Sequence, residues 1–360
     1  MIARRVEEHF DAFRFELKRR LGLLDPFEIL PYRGYGTSTE LFLRGRVLEE
    51  AGITHAGRED AVWKNVLNMA RRFASDEVAG ARVRASFQGL QVETTADVEG
   101  FFEVRFQLAE PLDGPGRWHQ IGLELLSPPS LGGGRVESKG HVLVPHGARF
   151  GVISDLDDTV VRSSATNVLK MAWIVVCNNA HTRLPFEGVA AFYRALQLGP
   201  DNKSSNPVFY VSSSPWNIYD MLVDFLNVHG VPHGPLFLKD WSLSVLGKHR
   251  DYKIGVIRRL LHTYENLPFV LIGDSGEEDP EIYLQAVQEH QGRIKAVYIR
   301  DVTSVERDAE VRAMADEARK LGTEMVAVPD TTVAAEHAAS ISLIAPDAIA
   351  AVLAESAASF

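Results

Sequence analysis

Phe150-Gly-Val-Ile-Ser-Asp-Leu-Asp-Asp-Thr159 decides the reading of this chain. Phe150, Val152 and Ile153 read as a buried strand, and the run then breaks into acid at Asp155, Asp157 and Asp158, closed by Thr159. An apolar strand that ends in carboxylates puts them at the carboxyl edge of a sheet, where open α/β folds hold their ligands. Carboxylates held this close repel one another. A divalent cation relieves the repulsion, and hard oxygen donors suit Mg²⁺.

Outward from this stretch, towards the C-terminus, the grammar is strand–helix–strand. Apolar runs recur at Val152–Ile153, Val208–Val211, Leu236–Leu238, Phe269–Ile272 and Val297–Ile299, with Met325–Val328 as a weaker sixth. Helical patterns fall between most of them, over Val189–Leu198, Ile218–Val228, Ile254–His262 and Ile282–Glu289. This alternation predicts a doubly wound parallel sheet over residues 147–330. Residues 331–360 are Ala-rich and read as a helical tail broken at Pro346.

Towards the N-terminus the period changes to two. Val83, Ala85 and Phe87 alternate with polar residues, as do Phe102, Val104, Phe106 and Leu108, then Ile121, Leu123 and Leu125, then Val136, Val142 and Val144. Short strands separated by Gly, Pro and Asp predict a β-sandwich-like domain over residues 28–146. Leu41, Leu43 and Val47 add another strand, Tyr32–Gly36 reads as a turn, and Ala61–Phe73 reads as a helix. Ile2, Val6, Phe10, Phe13, Leu17 and Leu21 recur at helical spacing and predict an amphipathic helix within residues 1–27.

Composition narrows the function classes. The chain has 360 residues, 46% of them hydrophobic, and a formal net charge of -10. Such a charge speaks against nucleic acid as the main partner. The single cysteine, Cys177, allows no intrachain disulfide, and the charged N-terminus has no apolar run behind it. The expectation is a cytoplasmic protein, at most peripheral to the inner face of a membrane. The two glycines of Tyr32–Gly36 lack the spacing of a dinucleotide loop, and Gly230 and Pro232 break any helix that could pair His229 with His233 on zinc. Ser212, Ser213 and Ser214 lack a nucleophile elbow.

Four pieces fall at strand ends or helix starts: Asp155-Leu-Asp157-Asp-Thr159, Ser212 after Val208–Val211, Lys253 at the opening of a helix, and Gly273-Asp-Ser-Gly-Glu-Glu-Asp279 after Phe269–Ile272. Taken singly, each reads as a turn, a cap or a surface lysine. Taken in this order, they suit phosphoryl transfer through an aspartyl-phosphate. Asp155 would be the nucleophile, and Mg²⁺ would be held by Asp155, the backbone carbonyl of Asp157 and Asp274. Ser212 and Lys253 would hold the non-bridging phosphate oxygens. Asp157 would protonate the leaving alkoxide and then deprotonate the hydrolytic water. Thr159 closes the first motif, and Asp279 would anchor Lys253 or support the metal through water. Arg162, Arg183, Lys239, Lys248 and Arg250 are candidates for gripping an anionic head group, with surface ion pairing as the competing reading for each.

These motifs, with Thr182-Arg-Leu-Pro-Phe186, Tyr210-Val-Ser-Ser-Ser-Pro-Trp-Asn-Ile-Tyr-Asp220 and Ile272-Gly-Asp-Ser-Gly-Glu-Glu-Asp-Pro-Glu-Ile-Tyr283, resemble the haloacid dehalogenase-like phosphatases. More narrowly, they resemble the actin-patch phosphatidate phosphatase family, over residues 147 to about 302. The resemblance implies a haloacid dehalogenase-like fold, Mg²⁺ dependence, and a substrate such as phosphatidate presented at a membrane surface. The short segments from Thr159 to Pro207 and from Ser212 to Lys253 leave little room for a cap domain, which suits a bulky phosphate ester. Val168–Cys177, with Met171 and Trp173, is apolar and reads as a buried helix or an interfacial face. Two alternatives stay open: a phosphatase for a phosphoprotein or a nucleic-acid end, and a non-catalytic membrane- or protein-binding module. The oligomeric state is not legible.

Overall fold

The structure, a computed structural model of the chain, describes residues 26–49, 77–113, 117–130, 134–156, 187–239, 249–301 and 305–357. The expected helices within residues 1–27 and over Ala61–Phe73 lie outside the described residues but for positions 26 and 27, and so does Val168–Cys177. The chain divides into two compact units, the first ending at Val144 and the second beginning at Pro145.

The first unit is one mixed sheet of eight strands: β1 (Phe27–Pro31), β2 (Gly34–Gly36), β3 (Glu40–Glu49), β4 (Arg82–Phe87), β5 (Leu90–Thr95), β6 (Phe101–Gln107), β7 (Trp118–Ser127) and β8 (Glu137–Leu143). Their order is β1-β3-β2-β8-β7-β4-β5, with β6 paired to β3. Residues that alternate along the strands turn inward as the period-two pattern predicts. Leu41, Leu43, Val47, Val83, Ala85, Phe102, Val104, Phe106, Ile121, Leu123 and Val142 share one core. The sequence predicts a sandwich-like domain of antiparallel strands; the described strands are hydrogen-bonded into one mixed sheet, in which β2 and β8 are parallel. Gly34–Gly36 is a strand rather than part of a turn. It runs antiparallel to β3 and parallel to β8, and a Cβ on Gly34 would stand 2.2 Å from the carbonyl oxygen of Phe42. Its two glycines serve close backbone approach, and Tyr35 between them stacks on Phe42 at 5.2 Å.

The second unit is a six-stranded parallel sheet flanked by helices. Its strands are β9 (Gly151–Asp155), β10 (Val208–Pro215), β11 (Leu236–Lys239), β12 (Phe269–Asp274), β13 (Ile294–Arg300) and β14 (Glu324–Val328). Every apolar run singled out in the sequence lies in one of them. The central strands β9, β10 and β12 are buried on both faces, so they read as continuous apolar runs rather than alternating ones, whereas β14 at the edge keeps exposed positions and gives the weaker run. The order is β11-β10-β9-β12-β13-β14. The chain winds outward from β9 to β11, returns to β12 beside β9, and winds outward again to β14. The boundary between β9 and β12 is therefore the point where the winding reverses, and the carboxyl ends of those two strands flank the crevice that such a reversal opens.

The helices are α1 (Val189–Leu198), α2 (Tyr219–Val228), α3 (His249–Thr263), α4 (Asp279–Glu289), α5 (Val305–Lys320), α6 (Thr331–Ser340) and α7 (Ala348–Ala357). Neighbouring α3, α4 and α5 pack together, and α7 packs on α1 and α6. Right-handed crossovers put these two groups on opposite faces of the sheet. The sequence pattern misses α5, because its buried stripe is only Val311, Ala315 and Ala318 in an otherwise charged helix. Pro346 stands between α6 and α7, as the break in the Ala-rich segment predicts. No helix among the described residues is long and apolar enough to cross a membrane.

Phe209 sits in β10 opposite Ile153, with no exposed surface, and its ring lies 5.5 Å from Tyr264, 6.2 Å from Phe269 and 6.5 Å from Phe237. Removing a core aromatic loses both its burial and its contacts. Phe209→Ala is expected to cost about 3–5 kcal/mol, read as a lowered midpoint of urea unfolding followed through the second unit.

Candidate active site

Asp155 is the last residue of β9. Val211 of β10 lies opposite it, and on the other side Ile272 of β12 lies opposite Ser154. One further step along β10 is Ser212; two further along β12 is Asp274. Strand register alone thus delivers a hydroxyl and a second carboxylate to either flank of Asp155, from motifs far apart in sequence. All three are buried, Asp155 at 1% exposure and Ser212 and Asp274 at 0%.

Lys253 arrives from the opposite direction, in the second turn of α3. Ile254, Val256, Ile257, Leu260 and Leu261 bury this helix, and Tyr252 ties it to β11 by donating to the Leu238 carbonyl at 2.7 Å. The ammonium is then held among three carboxylates: Nζ is 2.6 Å from Asp155 Oδ1, 2.8 Å from Asp279 Oδ1 and 2.8 Å from Glu277 Oε2. Burial alone would lower the affinity of this lysine for its proton. Asp155, Asp279 and Glu277 together outweigh burial and hold its pKa well above the ordinary value.

Asp274 is gripped through one oxygen only. The backbone N–H groups of Gly276 and Glu277 donate to Oδ1 at 2.6 and 3.1 Å. Oδ2 is buried and has no hydrogen-bond partner among the described residues. Burial, and then the nearby charges of Asp279 and Glu277, push this carboxyl up to about 7, with Lys253 opposing. A carboxylate in such a field takes up either a proton or a cation. Asp279, wholly buried at the start of α4, is pushed up by burial, while its ion pair with Lys253 opposes that rise. Its second oxygen accepts from the Asp274 N–H at 3.3 Å. Gly273 makes this closeness possible: a Cβ there would lie 2.3 Å from Asp279 Oδ2 and 2.8 Å from the Tyr283 ring.

A carboxylate oxygen from each of Asp155, Asp274 and Asp279 lies within 4.8 Å of the others. Together with the unpartnered Asp274 oxygen, this all-oxygen set fits a hard divalent cation of the Mg²⁺ type. Asp279 is engaged through both oxygens, Oδ1 by Lys253 and Oδ2 by the Asp274 N–H, so Asp155 and Asp274 are the side chains better placed to hold such an ion.

The sequence-selected residues therefore divide into three groups. Asp155, Ser212, Lys253, Asp274 and Asp279 come to one sheet edge. Lys239 ends β11 at the same edge, two strands from β9, and burial lowers its pKa; Arg250 instead donates to Gln285 on α4, at 3.2 Å. Asp157, Thr159, Arg162, Arg183 and Lys248 lie outside the described residues. Two contributors carried no signal of their own. Glu277 sits within the last motif, where nothing in its residue type marks it as a partner of Lys253. Tyr193 of α1 stands 2.6 Å from Ser154 Oγ, which in turn donates to the backbone carbonyl of Asp155 at 2.6 Å, bracing the end of β9. Trp216 is buried at 6% exposure, in keeping with a core role.

Residues 150–301 match a family described as the catalytic domain of phosphatidate phosphatase APP1. Over 160 residues the chain is 30% identical to phosphatidate phosphatase APP1 of Saccharomyces cerevisiae, a match that covers 43% of this chain and 26% of that protein. It is 25% identical over 159 residues to an uncharacterized protein of Schizosaccharomyces pombe, with the same coverage of 43% and 26%. The matched region thus spans about a quarter of the length of these relatives. Among solved structures, a carbohydrate acetylesterase from Xanthomonas citri aligns over 89% of this chain and 71% of its own, at 11% identity and a TM-score of 0.30; a likeness that weak carries no argument.

The Asp279 carboxylate cannot retreat from a new side chain at position 273 without leaving Lys253. Gly273→Ala is accordingly expected to destabilise the second unit by about 1–3 kcal/mol, the cost of overpacking, in urea unfolding. Parental stability in that variant would mean that the Lys253 cluster is free to shift.

Proposed function

We propose, from the match of residues 150–301 to the family of the APP1 catalytic domain, that the protein is a Mg²⁺-dependent phosphomonoesterase that works through an aspartyl-phosphate, with phosphatidate as substrate and diacylglycerol as product. The observation that carries the reading is the buried meeting of Asp155, Asp274 and Lys253 at the reversal point of the sheet. The strand order and the acid-ended β9 also support a fold of the haloacid dehalogenase type.

In this reading Asp155 and Asp274 would hold the ion, and the backbone carbonyl of Asp157, outside the described residues, would be a further ligand. When bound, Mg²⁺ supplies the positive charge that lets an anionic phosphate approach an anionic carboxylate. Asp155 attacks phosphorus; a new P–O bond forms to its carboxylate as the ester P–O bond breaks. Asp157 gives its proton to the departing alkoxide. A water then attacks the phosphorus of the acyl phosphate, yields a proton to Asp157, and returns Asp155 as a carboxylate with release of inorganic phosphate. Lys253, already paired to Asp155, aligns the nucleophile and lies within reach of the non-bridging oxygens, which the Ser212 hydroxyl also meets. Asp279 keeps Lys253 charged and in place.

The preference for a lipid phosphate draws on the family match and on the sequence's lack of room for a cap domain. A bulky acyl substrate presented by a membrane surface suits an open sheet edge better than a small metabolite does. Lys239 ends β11 at that edge and is a candidate for the head group.

The test uses purified protein with Mg²⁺ against phosphatidate in mixed micelles, a phosphopeptide, a 5′-phosphorylated oligonucleotide and a generic aryl phosphate. Phosphate release is expected to be greatest from phosphatidate. Asp155→Asn, whose amide cannot attack phosphorus, is expected to lose about a thousandfold or more in rate on every substrate it cleaves. Release from soluble esters alone would move the substrate to another class; undiminished activity of Asp155→Asn would remove the proposed nucleophile.

A further inference from the structure

Arg307 lies beyond the matched segment, in the first turn of α5. A guanidinium carries five N–H donors in one plane, and here all five are engaged. Nε donates to the Ser275 carbonyl at 3.1 Å. Nη1 donates to Glu281 Oε1 at 2.6 Å and to Glu310 Oε2 at 2.8 Å. Nη2 donates to Glu281 Oε2 at 2.8 Å and to the Glu277 carbonyl at 3.1 Å. The fork thus grips the loop between β12 and α4 by two carbonyls and α4 itself by a bidentate carboxylate.

The same loop faces Asp274 with its N–H groups, from Gly276 and Glu277. The Ser275 carbonyl and the Gly276 N–H belong to one peptide group. In a planar trans peptide they point in opposite directions. A single peptide plane is therefore held at one end by Arg307 and at the other by Asp274 Oδ1.

We propose that Arg307 is a positioning residue for the divalent-cation site, acting through the Ser275–Gly276 peptide to fix Asp274 by Oδ1 and leave Oδ2 for the ion. The inference rests on the cation-binding reading given above. It has a distinctive sign. By Coulomb's law alone, removing a positive charge near a cation site tightens cation binding. Loss of the clamp instead frees the loop, lets Asp274 rotate, and weakens binding. Lysine keeps the charge but presents a single nitrogen that cannot span two carbonyls and a carboxylate.

The experiment titrates Mg²⁺ into metal-free full-length protein by calorimetry, with Mn²⁺ followed by electron paramagnetic resonance as a second probe. The variants are Arg307→Gln, Arg307→Lys and Glu310→Gln, each with its melting temperature measured without metal. Both Arg307 variants are expected to bind the ion about tenfold or more weakly, as when outer partners of metal ligands are removed. Glu310→Gln, which touches Arg307 but not the loop, is expected to stay close to the parent. Unchanged or tighter binding by Arg307→Gln overturns the proposal, as does full recovery in Arg307→Lys. If Arg307→Gln fails to fold, Arg307→Lys decides by the same criterion. Failure of the parent protein to bind either ion sinks the cation reading and this inference together, whereas a binding parent with an indifferent Arg307 sinks only the inference.

Discussion

A single buried ammonium organises this protein's acidic centre. Lys253 neutralises charge that Asp155 and Asp279 could not otherwise bring together in the interior, and the half-exposed Glu277 joins them from the rim. Taking such groups out of water costs several kcal/mol per ion, and only close, hydrogen-bonded geometry offsets that cost. The geometry is accordingly over-determined: α3 is anchored by its apolar face, Asp279 by its position at the start of α4, and Asp155 by the end of a fully buried strand. The cluster still carries more negative than positive charge, since Asp274 stands beside it with an oxygen unsatisfied by the described residues. Such a site takes up either a proton or a cation.

The sheet explains why these groups meet. Strand order reverses between β9 and β12, so the ends of two neighbouring strands are not roofed by a shared crossover. Asp155 and Asp274 occupy those two ends. Ser212 comes from the strand on the other side, and Lys253 from the helix that carries the chain back across the reversal. Chemistry and topology are one arrangement here: the connection that turns the winding around also delivers the lysine.

Much of this was legible in the residues. Parallel strands covered on both faces must be apolar throughout, so Val208–Val211 and Phe269–Ile272 announced themselves, and the polar residues that ended them marked the site. What remained hidden was structure that sequence type does not encode. Gly34–Gly36 reads as a turn because glycine serves turns and close strand contacts alike. The partners in the β-rich sheet were unreadable, because alternation gives the inward face of a strand but not its neighbour. Arg307 was invisible for a stricter reason: it binds backbone carbonyls, which every residue possesses, so no pattern at Ser275 or Glu277 points to it. Glu277 lay inside a recognised motif, yet only folding revealed that it shares the lysine.

The segment by which this unit is recognised stops at residue 301, just past the end of β13. The sheet does not stop there. Residues 296–300 of β13 are hydrogen-bonded to 324–328 of β14, and α6 and α7 pack beyond. A fragment trimmed to the recognisable part would strip β13 of its outer neighbour and leave a row of bare amides and carbonyls facing solvent, a ready template for chain-to-chain pairing. The piece that carries the family match is smaller than the sheet it belongs to.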